Sequence, residues 1–265
     1  MKITEVYKQK LQFKNYSPRT IETYSCYFLK FLQDEKITDP YQVTTKQIAF
    51  YLENQNYSSI SVQNQVIGAL KLFAKYILNK KELHLNKIER PKKEKKLPLV
   101  VESEKLKEAI LSIENLKHKA VLMLGYSCAL RVSEVINLKI TDIDSNRMLI
   151  NIRNAKGRKD RIVVLSPKLL ETLRAYFKEY RPKEFLFNGQ FKPYYSSESC
   201  NQLIKKYIGD SYHFHTLRHS GATTMHESGT DLALIQKILG HNNIKTTMIY
   251  THISQKAIQN VISPI

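Results

Sequence analysis

The chain has little of what marks several large protein classes. Its three cysteines, Cys26, Cys128 and Cys200, are scattered and odd in number, with no CxxC pair or Cys/His cluster at zinc spacing. A disulfide framework and a structural zinc site are therefore excluded, and reduced, partly buried thiols are expected. Eight glycines and eight prolines in 265 residues are too few for a flexible or fibrous chain. No apolar run reaches the roughly 18 residues that a membrane helix needs. The opening Met1-Lys-Ile-Thr-Glu-Val lacks the pattern of a secretion signal, so a soluble, cytoplasmic protein without a membrane partner is expected. A P-loop and an acidic metal cluster are also missing, so neither nucleotide, metal nor other cofactor is expected.

Acidic residues are scarce as well. Forty-two Lys and Arg face 24 Asp and Glu, a formal charge of +18. Such an excess either finds a polyanion or repels itself, and nucleic acid is the commonest polyanion. A generally lysine-rich protein is the blander reading of the same number.

The apolar pattern divides the chain. Ser17-Pro18 supplies a cap followed by proline at the first helical position, and Ile21, Tyr24, Phe28, Phe31 and Leu32 then recur at helical spacing. Thr44 or Thr45 can start a second helix carrying Ile48, Tyr51 and Leu52. Ser59 or Ser61 can start a third, with Val62, Val66, Ala69, Leu70, Phe73 and Ile77 on one stripe. Residues 1–88 thus read as a helical bundle, with Arg19, Lys30, Lys71 and Lys75 on its outer faces.

Residues 89–98 contain Arg90-Pro91-Lys92-Lys93-Glu94-Lys95-Lys96-Leu97-Pro98, two prolines around a lysine run that can neither continue a helix nor build a core. This linker is either a plain tether or a strap across a phosphate backbone; the charge suits both, and the strap is the expectation because each added phosphate contact steepens the salt dependence of binding. Residues 99–265 form the larger segment. Helices are expected at 103–112, 115–127, 131–138, 167–180, 197–208, 216–228 and 231–239, followed by a last helical stretch. Met148–Arg153 and Asp160–Leu165 alternate as two strands of a hairpin around Asn154-Ala-Lys156-Gly157-Arg158-Lys159. The fold class is mainly α with one small antiparallel sheet.

Within this segment several groups suit phosphodiester chemistry. Arg131 stands in Ala129-Leu130-Arg131-Val-Ser-Glu134, and Arg218 in His215-Thr-Leu-Arg218-His219-Ser. A guanidinium answers the nonbridging oxygens of a pentavalent phosphorus with paired hydrogen bonds and stays charged at any working pH. Glu134, three residues after Arg131, is placed to hold that guanidinium from behind. His215 lies at i−3 from Arg218, on one helical face, and can move a proton in either direction. His241, in Leu239-Gly240-His241, suits a phosphate ligand or a mere cap after a glycine. Tyr250, in Thr246-Thr247-Met-Ile-Tyr250-Thr-His252, is one of 16 tyrosines, singled out by its company. A phenol is a poor nucleophile at neutral pH and needs a base and an electropositive pocket.

The order and spacing of these motifs resemble the tyrosine recombinase (phage integrase) family over essentially the whole chain. Ser17-Pro-Arg-Thr-Ile-Glu-Thr-Tyr24 is similar to the entry of the family's core-binding domain, and Ala155-Lys156-Gly157 to its β-hairpin lysine. Ala155 stands where a glycine is common, and Cys128-Ala129 replaces the usual small pair before the first arginine. The resemblance implies a SAM-like core-binding bundle, a mostly helical catalytic domain, and a catalytic set of Arg131, Lys156, His215, Arg218, His241 and Tyr250. It implies cleavage and rejoining of DNA through a 3′-phosphotyrosyl ester, and strand exchange through a Holliday junction by a homotetramer on two DNA sites. Arg19, Lys71, Lys92, Lys93, Lys95, Lys96, Arg158 and Lys159 are then expected to contact double-stranded DNA. Lys156, which nothing local distinguishes, becomes the acid for the departing 5′-oxygen. The few residues before Ser17 resemble the Xer-type, integron-type and small mobile-element enzymes that lack an arm-binding domain. A type IB topoisomerase-like relaxing enzyme or a non-catalytic DNA-binding module would share parts of the pattern. The module should have lost some of the six groups. The topoisomerase would not need the apolar stripe Ala257, Ile258, Val261 and Ile262, which suits packing on its own domain or, as the resemblance implies, docking on a neighbouring protomer.

If the linker straps the phosphate backbone, replacing Lys92, Lys93, Lys95 and Lys96 together by alanine flattens the log–log salt dependence of DNA binding by up to about 0.9 per lost phosphate contact. An unchanged slope in a salt titration leaves the linker a tether.

Overall fold

In the computed structural model the described residues are 3–79, 88–92, 97–153, 160–190 and 192–253. Lys93, Lys95 and Lys96 of the linker, Lys156, Arg158 and Lys159 of the hairpin turn, and the apolar stripe after residue 253 lie outside them. The chain divides into two compact units, Met1–Lys95 and Lys96–Ile265.

The first unit contains four α-helices among the described residues: α1 (Ile3–Phe13), α2 (Pro18–Asp34), α3 (Thr45–Asn54) and α4 (Ile60–Tyr76). Their starts follow local chemistry. Ser17 Oγ accepts from the Thr20 N–H at 3.2 Å with Pro18 at the first position, and Thr44 and Gln47 close a reciprocal capping box. Ser59, rather than Ser61, caps α4. The pattern reading began the bundle at Ser17 and passed over α1, whose Tyr7 and Leu11 are fully buried. The Tyr7 hydroxyl donates to the Ala69 carbonyl at 2.9 Å, and Phe28 and Phe73 pack with ring centres 4.3 Å apart. Arg19, Lys30 and Lys75 are exposed as expected. Lys71 is half-buried instead, because its ammonium reaches the Ile88 carbonyl at 3.5 Å. Lys92 is exposed.

The second unit is helical around a three-stranded antiparallel sheet. Helices α5 (Ser103–Leu111), α6 (Leu116–Ser127) and α7 (Val132–Ile136) precede β1 (Ile143–Asp144), β2 (Leu149–Ile152) and β3 (Arg161–Val164). Then come α8 (Pro167–Tyr180), α9 (Ser197–Tyr207), α10 (Phe214–Glu227), α11 (Leu232–Leu239), α12 (Ile244–Thr247) and α13 (Ile249–Ile253). The expected hairpin is present, with Leu149 opposite Val164 and Ile152 opposite Arg161; β1 is an added strand of two residues, too short to show alternation. Helix α10 begins at Phe214, two residues before the expected start, so His215 lies inside it.

Helix α6 is the hub of this unit. Every residue from Ala120 to Tyr126 is buried, so the helix is apolar all round and is covered on all sides. It meets α10 through two glycines. A Cβ on Gly125 would stand 2.7 Å from Phe214 Cζ, and one on Gly221 would stand 2.1 Å from the Tyr126 carbonyl oxygen. This close approach fixes α10, and hence His215 and Arg218, against the core. Among the described residues no helix is long and apolar enough to cross a membrane.

Gly221→Ala places a methyl against backbone that cannot swing aside. The expected cost is about 1–3 kcal/mol, the usual penalty of overpacking, read as a lowered urea midpoint. An unchanged midpoint would mean that the α6–α10 spacing has slack.

Candidate active site

The site is built around one buried carboxylate. Glu134, on the first turn of α7, is 8% exposed. Its two oxygens accept from Arg131 Nη1 (2.8 Å), Arg161 Nη1 (2.8 Å) and Arg161 Nη2 (2.7 Å), and Oε2 also accepts the Arg131 backbone N–H (2.8 Å). Arg218 Nη1 stands 3.9 Å from the same carboxylate. Burial works against the charge, but the hydrogen bonds and charges of Arg161 and Arg131 hold Glu134 down at about 2, so it stays ionised.

Arg218, 1% exposed, is fixed in a second way. Its Nη1 donates to the Ala129 carbonyl at 2.7 Å and its Nη2 to the Leu239 carbonyl at 2.6 Å. Ala129 adopts φ 49°, the left-handed region that costs a non-glycine residue about 1–3 kcal/mol. The carbonyl of this strained residue is the one that receives Arg218. Burial, then the neighbouring Arg131, lowers Arg218 to about 10, which still leaves it charged at neutral pH.

Gly240, at φ 61°, ends α11 and turns the chain so that His241 faces Arg218. The His241 Nε2 lies 3.3 Å from Arg218 Nη2 and its Nδ1 lies 3.0 Å from Thr247 Oγ1. A guanidinium only donates, so Nε2 accepts and Nδ1 carries the proton toward Thr247. His241 is therefore both the residue after a glycine cap and a member of the cluster.

Arg131, His215, Arg218, Gly240, His241, Asn242, Asn243 and Thr246 line one cleft of about 500 Å³. Burial and the adjacent Arg218 pull His215 and His241 down to about 4, although the His215 side chain remains open to the cleft. Both are neutral at pH 7. Tyr250 sits behind this wall, 1% exposed, packed with Ala129, Ala222, Ile235 and Leu239. Its hydroxyl lies 3.1 Å from His219 Nδ1. Burial raises its pKa, against the opposing pull of Arg218 and Arg131.

Five of the six residues singled out from sequence thus gather in one region, while Lys156 lies outside the described residues. Two members were missed. Arg161 was read only as a strand residue, yet its side chain is 8% exposed and its Nε donates to the Ile238 carbonyl at 2.5 Å, joining β3 to α7 and α11. His219 stands in the second arginine motif, where nothing local gives it a role; its direct contact with the phenol depends on α13 folding back onto α10. A charged residue in an alternating strand, and a second histidine four positions after the first, were the available signals. Among the described residues no group of three or more His, Cys, Asp or Glu side chains could hold a metal ion.

Comparison with known proteins agrees with this arrangement. Residues 100–257 match the model of the phage integrase family. The chain is 33% identical over 269 residues to the tyrosine recombinase XerA of Pyrococcus horikoshii, covering 98% of this chain and 92% of the relative. It is 34% identical over 264 residues to XerA of Thermococcus onnurineus, covering 95% and 91%. A crystal structure of XerA recombinase, 27% identical, superimposes with a TM-score of 0.55 over 97% of this chain and 95% of that one. The fold is also shared by the XerH site-specific recombinase bound to palindromic difH substrate in a post-cleavage complex, with TM-score 0.73, 24% identity and coverage of 93% and 80%. With a family match over more than half its length and full-length relatives above 30% identity, the chain belongs to the phage integrase family and is a site-specific tyrosine recombinase.

Proposed function

We propose that Arg131, Lys156, His215, Arg218, His241 and Tyr250 are the catalytic set, and that the substrate is double-stranded DNA held by a homotetramer on two sites in the cytoplasm. The observation that carries this reading is the convergence of Arg131, His215, Arg218 and His241 on one cleft, with the Tyr250 phenol behind it. Arg131 and Arg218 take the two nonbridging oxygens of the scissile phosphate, each guanidinium already oriented by Glu134 or by backbone carbonyls. Such preorganisation costs nothing at the moment charge develops, which is what transition-state stabilisation requires. His215, open to the cleft, hydrogen-bonds the same phosphate. His241 does so once its Nε2 takes a proton, which the arriving anion favours.

The Tyr250 oxygen attacks phosphorus, the bond to the 5′-oxygen breaks, and Lys156 supplies the proton that the leaving oxygen needs. The phosphodiester energy is kept in the 3′-phosphotyrosyl bond, so rejoining needs no nucleotide. Because the phenol is buried, attack requires α13 to shift toward the cleft when DNA fills it. The core-binding unit, 1–88, and the basic linker, 89–98, contact the duplex through Arg19, Lys71, Lys92, Lys93, Lys95 and Lys96, and Arg158 and Lys159 add contacts beside Lys156. Residues 254–265 dock on the neighbouring protomer and couple the sites. The positive charge of the whole chain, +18, supports a polyanionic partner.

The substrate can be recovered by incubating the protein with random duplexes and sequencing the covalently trapped DNA. On a nicked version of that duplex, Tyr250→Phe is expected to retain binding in a gel shift and to give no covalent band on a denaturing gel. A persisting band would move the nucleophile to another tyrosine. Lys156→Ala is expected to slow cleavage by roughly 10²–10⁴-fold. A 5′-bridging sulfur substrate should recover most of that loss, since a thiolate leaves without a proton. Equal defects on oxygen and sulfur substrates would make Lys156 a DNA contact only.

A further inference from the structure

Beyond the six family positions, we infer that His219 is the general base that takes the Tyr250 proton, with Nδ1 as the accepting atom. The inference rests on Tyr250 as the nucleophile. Three observations support it. First, among the described residues the phenol's hydrogen-bond partner is His219 Nδ1, at 3.1 Å, with the two rings 5.9 Å apart and inclined at 49°. Second, both groups are on structured helices, α10 and α13, and the phenol is 1% exposed, so before α13 shifts toward the cleft the phenol is already paired with His219 and not with bulk water. Third, His219 stacks edge-on against His215 with ring centres 4.5 Å apart, and His215 lines the cleft. The three rings therefore run from the buried phenol to the phosphate site.

The charge state suits the role. Burial, then the neighbouring His215, Arg218, His213 and His241, holds His219 neutral at pH 7. A neutral imidazole protonated on Nε2 offers its Nδ1 lone pair to the phenol. As the Tyr250 oxygen forms its bond to phosphorus, its O–H bond breaks and the proton passes to Nδ1. The departing 5′-oxygen keeps the electron pair of its broken bond to phosphorus and takes a separate proton from the acid on the cleft side. On rejoining, the 5′-hydroxyl attacks and gives its proton back to the cleft-side group that supplied it, the bond from phosphorus to the tyrosyl oxygen breaks, and His219 returns the proton to the leaving phenolate. His215, which the HxxR spacing would suggest for this task, is left to bind the phosphate.

The test uses the full-length protein and the nicked duplex recovered by covalent capture, with Tyr250→Phe as the control. His219→Ala and His219→Asn are compared with the parent in single-turnover cleavage. Asparagine can still hydrogen-bond the phenol but cannot take its proton. Both variants are expected to bind DNA normally and to cleave roughly 10²–10⁴-fold more slowly. The defect should be equal on oxygen and 5′-bridging sulfur substrates, because attack and not departure is impaired. Added imidazole should restore part of the rate to the alanine variant, which a purely structural role would not allow. If alanine removes the fold, seen as lost gel-shift binding, the asparagine variant carries the test. Parental rates in the asparagine variant would reduce the contact to a simple hydrogen bond and overturn the inference. Cleavage by the alanine variant at or above the parental rate would make it a latch on the resting phenol, which also overturns it. A covalent band from Tyr250→Phe would sink the nucleophile assignment itself, separately from the role of His219.

Discussion

The second unit depends on a carboxylate with nowhere else to put its charge. Glu134 is almost wholly removed from water, and a buried anion survives only if it is paired and hydrogen-bonded. Arg131 and Arg161 supply that pairing from α7 and β3, and Arg218 of α10 approaches from a third direction. The energetic logic is asymmetric. Forming such a network adds little net stability, whereas removing one partner strands the rest at a cost of about 3–5 kcal/mol. The network is better understood as a device for geometry. Each guanidinium is held in one orientation before any phosphate arrives.

Arg161 extends this device beyond the cleft. Its fork holds both oxygens of Glu134, while its Nε caps the last turn of α11 through Ile238. The turn that follows, Leu239-Gly240-His241, presents one carbonyl to Arg218 and one imidazole to the cleft. A Cβ on Gly240 would stand 3.2 Å from the Arg161 Cδ, so side chain and turn are in close contact. One arginine on a strand therefore couples the first arginine motif to the histidine turn.

Much of this was legible in the amino-acid sequence where the signal is local. Ser17-Pro18 starts a helix because a side-chain oxygen satisfies an orphan N–H and proline tolerates the first position. The hairpin followed from alternation, and the catalytic candidates from motif spacing. Residues whose role is set by tertiary contact were not legible. Arg161 alternates as a surface strand residue would, and only the return of α7 and α11 buries it. Ala129 gives no hint of its left-handed backbone, which is imposed by the need to aim a carbonyl at Arg218. The contact of His219 with Tyr250 spans 31 residues and exists because α13 folds back across α10. Helix α1 is a different case: Tyr7 and Leu11 had the right spacing, but lysines at 8 and 10 diluted the stripe.

The charge of the assembled site also bears on the reaction. Three guanidinium groups against one carboxylate leave two net positive charges at the cleft. His215, His219 and His241, all lowered to about 4, add none at neutral pH. A phosphodiester brings one negative charge, and attack by a phenolate raises it toward two at the pentavalent stage. Positive charge at the cleft therefore holds the transition state more tightly than the bound substrate, and only such differential binding accelerates a step. Had His219 been cationic, the phenol would have no base beside it.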